Sequence, residues 1–180
     1  MTEPAASSSG SGTVHASAVK VGDRAVLIRG PSGAGKSRLA FDLMLAGRAG
    51  MIPAAMLIGD DRVHLERRAD GLVVRAAAAI AGLIEIRGLG LRRCDFVAEA
   101  VVGLVVDLAA GDAERLPQPA ALRTTINGVE LPRIPVGESY EPLPLVVAAF
   151  TTLEGSGLTT DEGDCSKRFD NHIIPTIVTK

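Results

Sequence analysis

Residues Gly30 to Ser37, GPSGAGKS, place three glycines ahead of a lysine and a hydroxyl, directly after the apolar run Ala25–Ile28. Gly30, Gly35, Lys36 and Ser37 satisfy the spacing G-x-x-x-x-G-K-[ST]. That spacing suits a phosphate cradle. Glycines, with Pro31, Ser32 and Ala34 between them, let successive backbone N–H groups turn inward on phosphate oxygens, and a helix N-terminus adds partial positive charge. Lys36 would reach the β- and γ-phosphates and Ser37 would place its hydroxyl on Mg²⁺. A glycine turn that only starts a helix is the plain alternative, and the full match in strand–loop–helix context argues against it.

Asp60 and Asp61 close the apolar stretch AAMLIGDD, where an open α/β sheet presents groups to ligands. One carboxylate there can hold Mg²⁺, directly or through water, and a second can take the proton of an attacking hydroxyl. On an extended strand adjacent side chains point to opposite faces, so the pair cannot serve as twins on one metal. A polar turn is the competing explanation. Glu85 and Arg87, in EIRGLG, stand two apart and so share a face of a short strand; they suit either a cross-strand ion pair or a metal-binding Glu with an Arg that steadies phosphate charge.

These groups need a scaffold. TVHASAVKVGDRAVLIRG reads as two strands joined at Gly22–Asp23. After the glycine loop, Leu39, Ala40, Leu43 and Met44 share one helix face, with Arg38 and Asp42 opposite as an i,i+4 pair and Gly47 at the C-cap. RVHLERRADGLVVRA alternates as a hairpin about Asp70–Gly71, AVVGLVVDLA reads as a central strand, and Asn127–Gly128 marks a second hairpin. PLPLVVAAFTTL suits a closing helix with Pro144 in its first turn. An α/β fold on a mixed sheet follows, since hairpins and a strand–loop–helix unit coexist.

GPSGAGKS, GDD and LIEIRGLG, in this order, resemble the catalytic domain of HPr kinase/phosphorylase, and the similarity runs over roughly residues 14–107, with LPRIPV a weaker echo beyond. The resemblance implies a phosphoenolpyruvate carboxykinase-like nucleotide-binding core. It also implies an ATP- and Mg²⁺-dependent protein serine kinase acting on HPr, a small phosphocarrier of the bacterial phosphotransferase system, or on a paralogous nitrogen-branch phosphocarrier. The reverse, dephosphorylating reaction and homo-oligomeric assembly also belong to the family. Carried over residue by residue, Gly30 to Ser37 corresponds to its nucleotide loop, including Gly33, and Asp60 and Asp61 to its acidic pair, the second as general base. Ser37, Glu85 and Asp60 correspond to Mg²⁺ ligation, Arg87 to its signature segment, and His15, in VHAS, to its active-site histidine. Without the resemblance His15 reads as a surface strand residue. Departures are the short stretch before His15, a long connection RAGMIPAAML, and PVGESYEPLPL where the family carries a Pro-Gly-Arg-Asn-like loop; the short proteobacterial form is the nearest likeness. A nucleotide-binding regulatory module with little or no transfer is the second reading, and the absence of NKxD and of an Arg-rich lid disfavours a GTPase or nucleoside monophosphate kinase.

Composition bounds these readings. With 180 residues, 47% hydrophobic and 22% charged, the chain suits one globular domain. A net charge of −2, dispersed Lys and Arg and only 3% aromatics disfavour nucleic acid as partner. Two distant cysteines, Cys94 and Cys165, fit a reducing cytoplasm. MTEPAASSSGSG lacks the character of a signal peptide and no apolar run is long enough to span a membrane. The expected organisation is a disordered segment 1–12, a P-loop kinase domain 13–153 and a poorly specified tail 154–180.

Overall fold

A computed structural model describes residues 13–153; the expectations for 1–12 and 154–180, Cys165 among them, lie outside the described residues. The chain runs β1 (Thr13–Val14), β2 (Ser17–Val21), β3 (Arg24–Arg29), α1 (Lys36–Arg48), β4 (Ala55–Gly59), β5 (Val63–Arg68), β6 (Gly71–Ala76), β7 (Leu83–Ile86), β8 (Gly90–Arg93), β9 (Glu99–Leu108), β10 (Arg123–Ile126), β11 (Val129–Val136) and α2 (Pro142–Thr151). Nine strands form one mixed sheet in the order β1-β5-β6-β9-β3-β2-β4, with β11 also joined to β9 and β10 to β11. β9 lies parallel to both β3 and β11 and antiparallel to β6, which makes the AVVGLVVDLA segment central as its unbroken apolar run requires.

Alternation along β3 divides the core. Val26 and Ile28 face α1 with Leu39, Leu43, Met44 and Val146, while Ala25 and Leu27 face the opposite side with Ile58, Leu72, Val74 and Leu131. That second face packs against β5 and β6, so the sheet curls over its own back. In β9 the pattern shifts by one residue: Ala25 pairs with Val102 but Val26 with Leu104, leaving Gly103 as a bulge against the Arg24 side chain.

Three hairpins follow from their turn residues. Gly22 (φ 58°) turns β2 into β3, and Asn127 (φ 50°) with Gly128 (φ 74°) supplies the two positive φ values of a tight β10–β11 connection. In the β5–β6 hairpin Arg68 pairs with Gly71, so the loop is Ala69–Asp70, one residue earlier than the sequence suggests. The C-cap expectation needs correction: α1 continues through Gly47, whose added Cβ would lie 2.6 Å from the Ala55 nitrogen, and Gly50 (φ 72°) takes the left-handed position instead. Met51 N bonds Ala46 O and Gly50 N bonds Gly47 O, the paired bonds of a Schellman ending. Gly47 is thus a packing glycine. EIRGLG, expected as a strand and turn, is a full two-stranded hairpin, β7–β8, outside the main sheet.

Candidate active site

The glycine loop joins the C-terminal end of β3 to the first turn of α1. Gly33 (φ 81°) and Gly35 (φ 95°) adopt backbone conformations costly for other residues, and a Cβ on Gly30 (φ 143°) would lie 2.8 Å from the Leu108 carbonyl oxygen. Gly35 occupies the N-cap without a side-chain cap, and no acidic residue stands in the first turn, so the helix's free N–H groups and positive end are turned to the loop. Lys36 is buried, and its Nζ donates to the Gly30 oxygen (3.0 Å) and the Pro31 oxygen (2.9 Å). Burial lowers its pKa from the usual lysine range, while Asp61 and Asp60 oppose that shift.

β4 ends at Gly59, so the two aspartates stand past the strand and not on it as expected. The turn at Asp61, not strand alternation, sends their side chains to different surroundings. Asp60 is buried: Ser17 Oγ donates to Oδ1 at 2.5 Å and the Glu85 backbone N–H to Oδ2 at 3.2 Å. Asp61 is exposed, with His15 Nε2 3.3 Å from Oδ1 and Arg62 Nε 3.8 Å from Oδ2. Its backbone is strained, with φ 63° and an Arg62 N–H bonded back to the Asp60 oxygen at 2.7 Å, a three-residue turn centred on a non-glycine. His15 is not on a strand. It fills the bend between β1, which pairs with β5, and β2, which pairs with β3 and β4, and that bend sets its ring over Asp61.

A cleft of about 810 Å³ is lined by His15, Ser32–Ser37, Asp60, Asp61, Glu85 and Arg87 together. Gly30 and Pro31 are not among its walls; they contribute the carbonyls that hold Lys36. Glu85 lies on β7 and Arg87 just beyond its end, and among the described residues neither side chain makes an ion pair, so the simple cross-strand pair is not formed. Ser17 escaped sequence reasoning, since a small polar residue in SAVKV carries no signal until its partner 43 residues away is known. Asp42, Tyr140 and Glu141 also line the cleft. Burial raises the Asp42 carboxyl above the usual carboxylate range; Arg38 at 3.7 Å opposes this and Glu141 adds to it. GESYEP, marked by its departure from the family loop, is the signal that could have found Tyr140 and Glu141.

A second polar assembly lies behind the loop. Asp107, near the end of β9, accepts from Arg29 Nε (2.6 Å), Arg29 Nη2 (2.7 Å) and Arg133 Nε (2.5 Å), and Arg133 reaches on to Asp112 at 2.6 Å. It ties together the ends of β3, β9 and β11 one residue before Gly30.

The curled mixed sheet, its glycine loop and the carboxylates at the β4 end define a phosphoenolpyruvate carboxykinase-like α/β class. The solved structure of the Hpr(Ser) kinase/phosphatase from Coxiella burnetii matches it with a TM-score of 0.60 and 26% identity, covering 77% of this chain and 87% of that one. The family model for the HPr serine kinase C-terminal domain matches residues 7–136, and the chain belongs to that family. The HPr kinase/phosphorylase of an Exiguobacterium species is 31% identical over 178 residues, 91% of this chain and 55% of that protein. That of Geobacillus thermodenitrificans is 35% identical over 134 residues, 68% of this chain and 41% of that protein. The chain thus spans about half, or less, of the length of these curated relatives.

Proposed function

We propose that the chain is the catalytic domain of an ATP- and Mg²⁺-dependent protein serine kinase whose acceptor is an HPr-like phosphocarrier in the cytoplasm. One observation carries this reading: four segments distant in sequence bring a glycine loop, a lysine, an exposed aspartate with a histidine, and a Glu/Arg pair into one cleft. The backbone N–H groups of Ser32–Ser37 hold the nucleotide phosphates, and Lys36 exchanges its two carbonyl bonds for β- and γ-oxygens. Asp61 accepts the proton of the incoming seryl hydroxyl; the seryl oxygen bonds to the γ-phosphorus, the bond to the β,γ-bridging oxygen breaks, and ADP leaves. His15 holds the Asp61 carboxylate in place, and Arg87 steadies charge on the transferring group. Ser37 and Glu85 offer the hard oxygen donors that suit Mg²⁺, whereas Asp60, the third candidate from the sequence, is buried with both oxygens already accepting hydrogen bonds. When bound, Mg²⁺ neutralises the β,γ-phosphate charge.

A sensor that binds nucleotide without transfer is favoured by one feature, the acidic GESYEP segment in the cleft wall. Comparison of the parent with Asp61→Asn decides between them. A kinase retains nucleotide affinity in this variant and loses transfer to HPr-like proteins; a parent that binds ATP without phosphorylating any acceptor is a sensor.

A further inference from the structure

We propose that Asp60 is a positioning residue and not a metal ligand, and that Ser17 is the residue that sets it; this rests on the kinase reading for the role of Glu85. The two adjacent carboxylates have opposite surroundings. Asp61 is 63% exposed at its side chain and faces the cleft, whereas Asp60 is only 4% exposed and both its oxygens are already engaged. One oxygen accepts from Ser17 Oγ, a side chain with no exposure at all on β2, and the other accepts from the backbone N–H of Glu85 on β7.

The connection matters because of where β7 stands. Among the described residues the β7–β8 hairpin joins no other strand, and every residue of β8 is exposed. Ile84 packs β7 into the core beside α1, and the bond from the Glu85 N–H to Asp60, past the end of β4, falls at a residue that lines the cleft. Ser17–Asp60–Glu85 is a three-element clamp across β2, the β4 end and β7. It fixes the backbone of Glu85 in the cleft that Ser37 also lines, leaving the Glu85 side chain free for the cation. A buried carboxylate is the group suited to the task, because a charged acceptor bonds hydroxyl and amide more strongly than a neutral one.

The clamp makes a distinction that a metal ligand does not. In Asp60→Asn the side-chain oxygen still accepts from the Glu85 N–H, and the amide NH₂ donates to Ser17 Oγ, which turns from donor to acceptor. The clamp survives while the charge is lost. In Ser17→Ala the charge survives while the clamp is cut. The test uses the full chain and two readouts: amide hydrogen exchange at Glu85 without nucleotide, and the Mg²⁺ concentration needed for half-maximal binding of a non-hydrolysable ATP analogue, with Glu85→Gln as the ligand-loss reference. Ser17→Ala is expected to speed Glu85 exchange about tenfold or more, since a hydrogen bond to a charged group is lost from the assembly. Asp60→Asn is expected to speed that exchange less than Ser17→Ala does, because the neutral amide keeps both bonds although each is weaker, and to leave the Mg²⁺ requirement within about threefold of the parent. A Mg²⁺ requirement raised in Asp60→Asn as far as in Glu85→Gln makes Asp60 a ligand and overturns the proposal, as does unchanged exchange in Ser17→Ala. If the parent itself fails to bind the analogue, the kinase reading falls, and the exchange rates alone decide whether the clamp exists.

Discussion

The Asp107 assembly offers the most quantitative test of how the sheet holds the glycine loop. Asp107→Asn leaves the shape and replaces one acceptor oxygen by an NH₂ group. In the parent, Oδ2 accepts from Arg29 Nη2 and Arg133 Nε and Oδ1 from Arg29 Nε, with the Asp107 and Arg133 side chains only 15% and 12% exposed. Whichever way the amide turns, at least one guanidinium N–H faces a donor, and two arginines lose their shared counter-charge. Breaking a buried pair from one side costs about 3–5 kcal/mol; the partial exposure of Arg29 places this one near 3. For a chain of this size, about 2–4 °C per kcal/mol gives a fall in melting temperature of roughly 6–12 °C. The acid limb carries a second signature. Burial pushes the Asp107 carboxyl up, but the bonds from Arg29 and Arg133 outweigh it and hold the group below the usual carboxylate range. A depressed folded-state pKa stabilises above the unfolded value near 3.9, and that stability is lost as pH falls through the folded one. The parent should therefore lose more stability than the variant between about pH 5 and pH 2. Differential scanning calorimetry across that range reads both effects. A fall of under about 2 °C with parallel acid limbs would refute the reasoning, since it would mean the guanidiniums are held by solvent and not by Asp107.

Three further outcomes are expected. Gly47→Ala should destabilise despite the gain of up to about 1 kcal/mol in helix propensity, because a Cβ 2.6 Å from the Ala55 nitrogen is overpacking that costs roughly 1–3 kcal/mol; urea midpoints give the sign. Gly30→Ala should cut nucleotide affinity measured by calorimetric titration, since the Leu108 carbonyl oxygen at 2.8 Å displaces the loop entrance. Asn127→Ala should cost about 1–2 kcal/mol through its left-handed backbone and leave nucleotide affinity unchanged, because the β10–β11 turn does not line the cleft.

What could be read in the residues was local. Gly30 to Ser37 encode their loop because spacing and φ demands coincide, and Asn127–Gly128 and Gly22 encode their turns by left-handed propensity. The central place of β9 followed from its unbroken apolar run, whereas the opposite fates of Asp60 and Asp61 arise from the left-handed turn at Asp61 just past β4, which a non-glycine residue does not announce. What escaped depended on partners distant in the chain. The Ser17 hydroxyl meets Asp60 43 positions on, and Arg29 meets Asp107 78 positions on, pairings that no local period announces. AVVGLVVDLA read as a central strand without revealing that two arginines claim its carboxylate. The bend that lifts His15 off the strands arises because β1 and β2 pair with different neighbours, a property of the curled sheet. Gly47 looked like a cap because glycine serves both to end helices and to admit close neighbours.

The central claim is phosphate transfer from ATP to a protein serine with Asp61 as base. Its most direct test is intact-mass and site-mapping spectrometry of HPr-like proteins from the same organism after incubation with the chain, ATP and Mg²⁺. One phosphoryl group on one serine, absent with Asp61→Asn although that variant still binds nucleotide, is the expected result. ATP bound at the cleft with no mass gained by any acceptor, or equal transfer by Asp61→Asn, would contradict it.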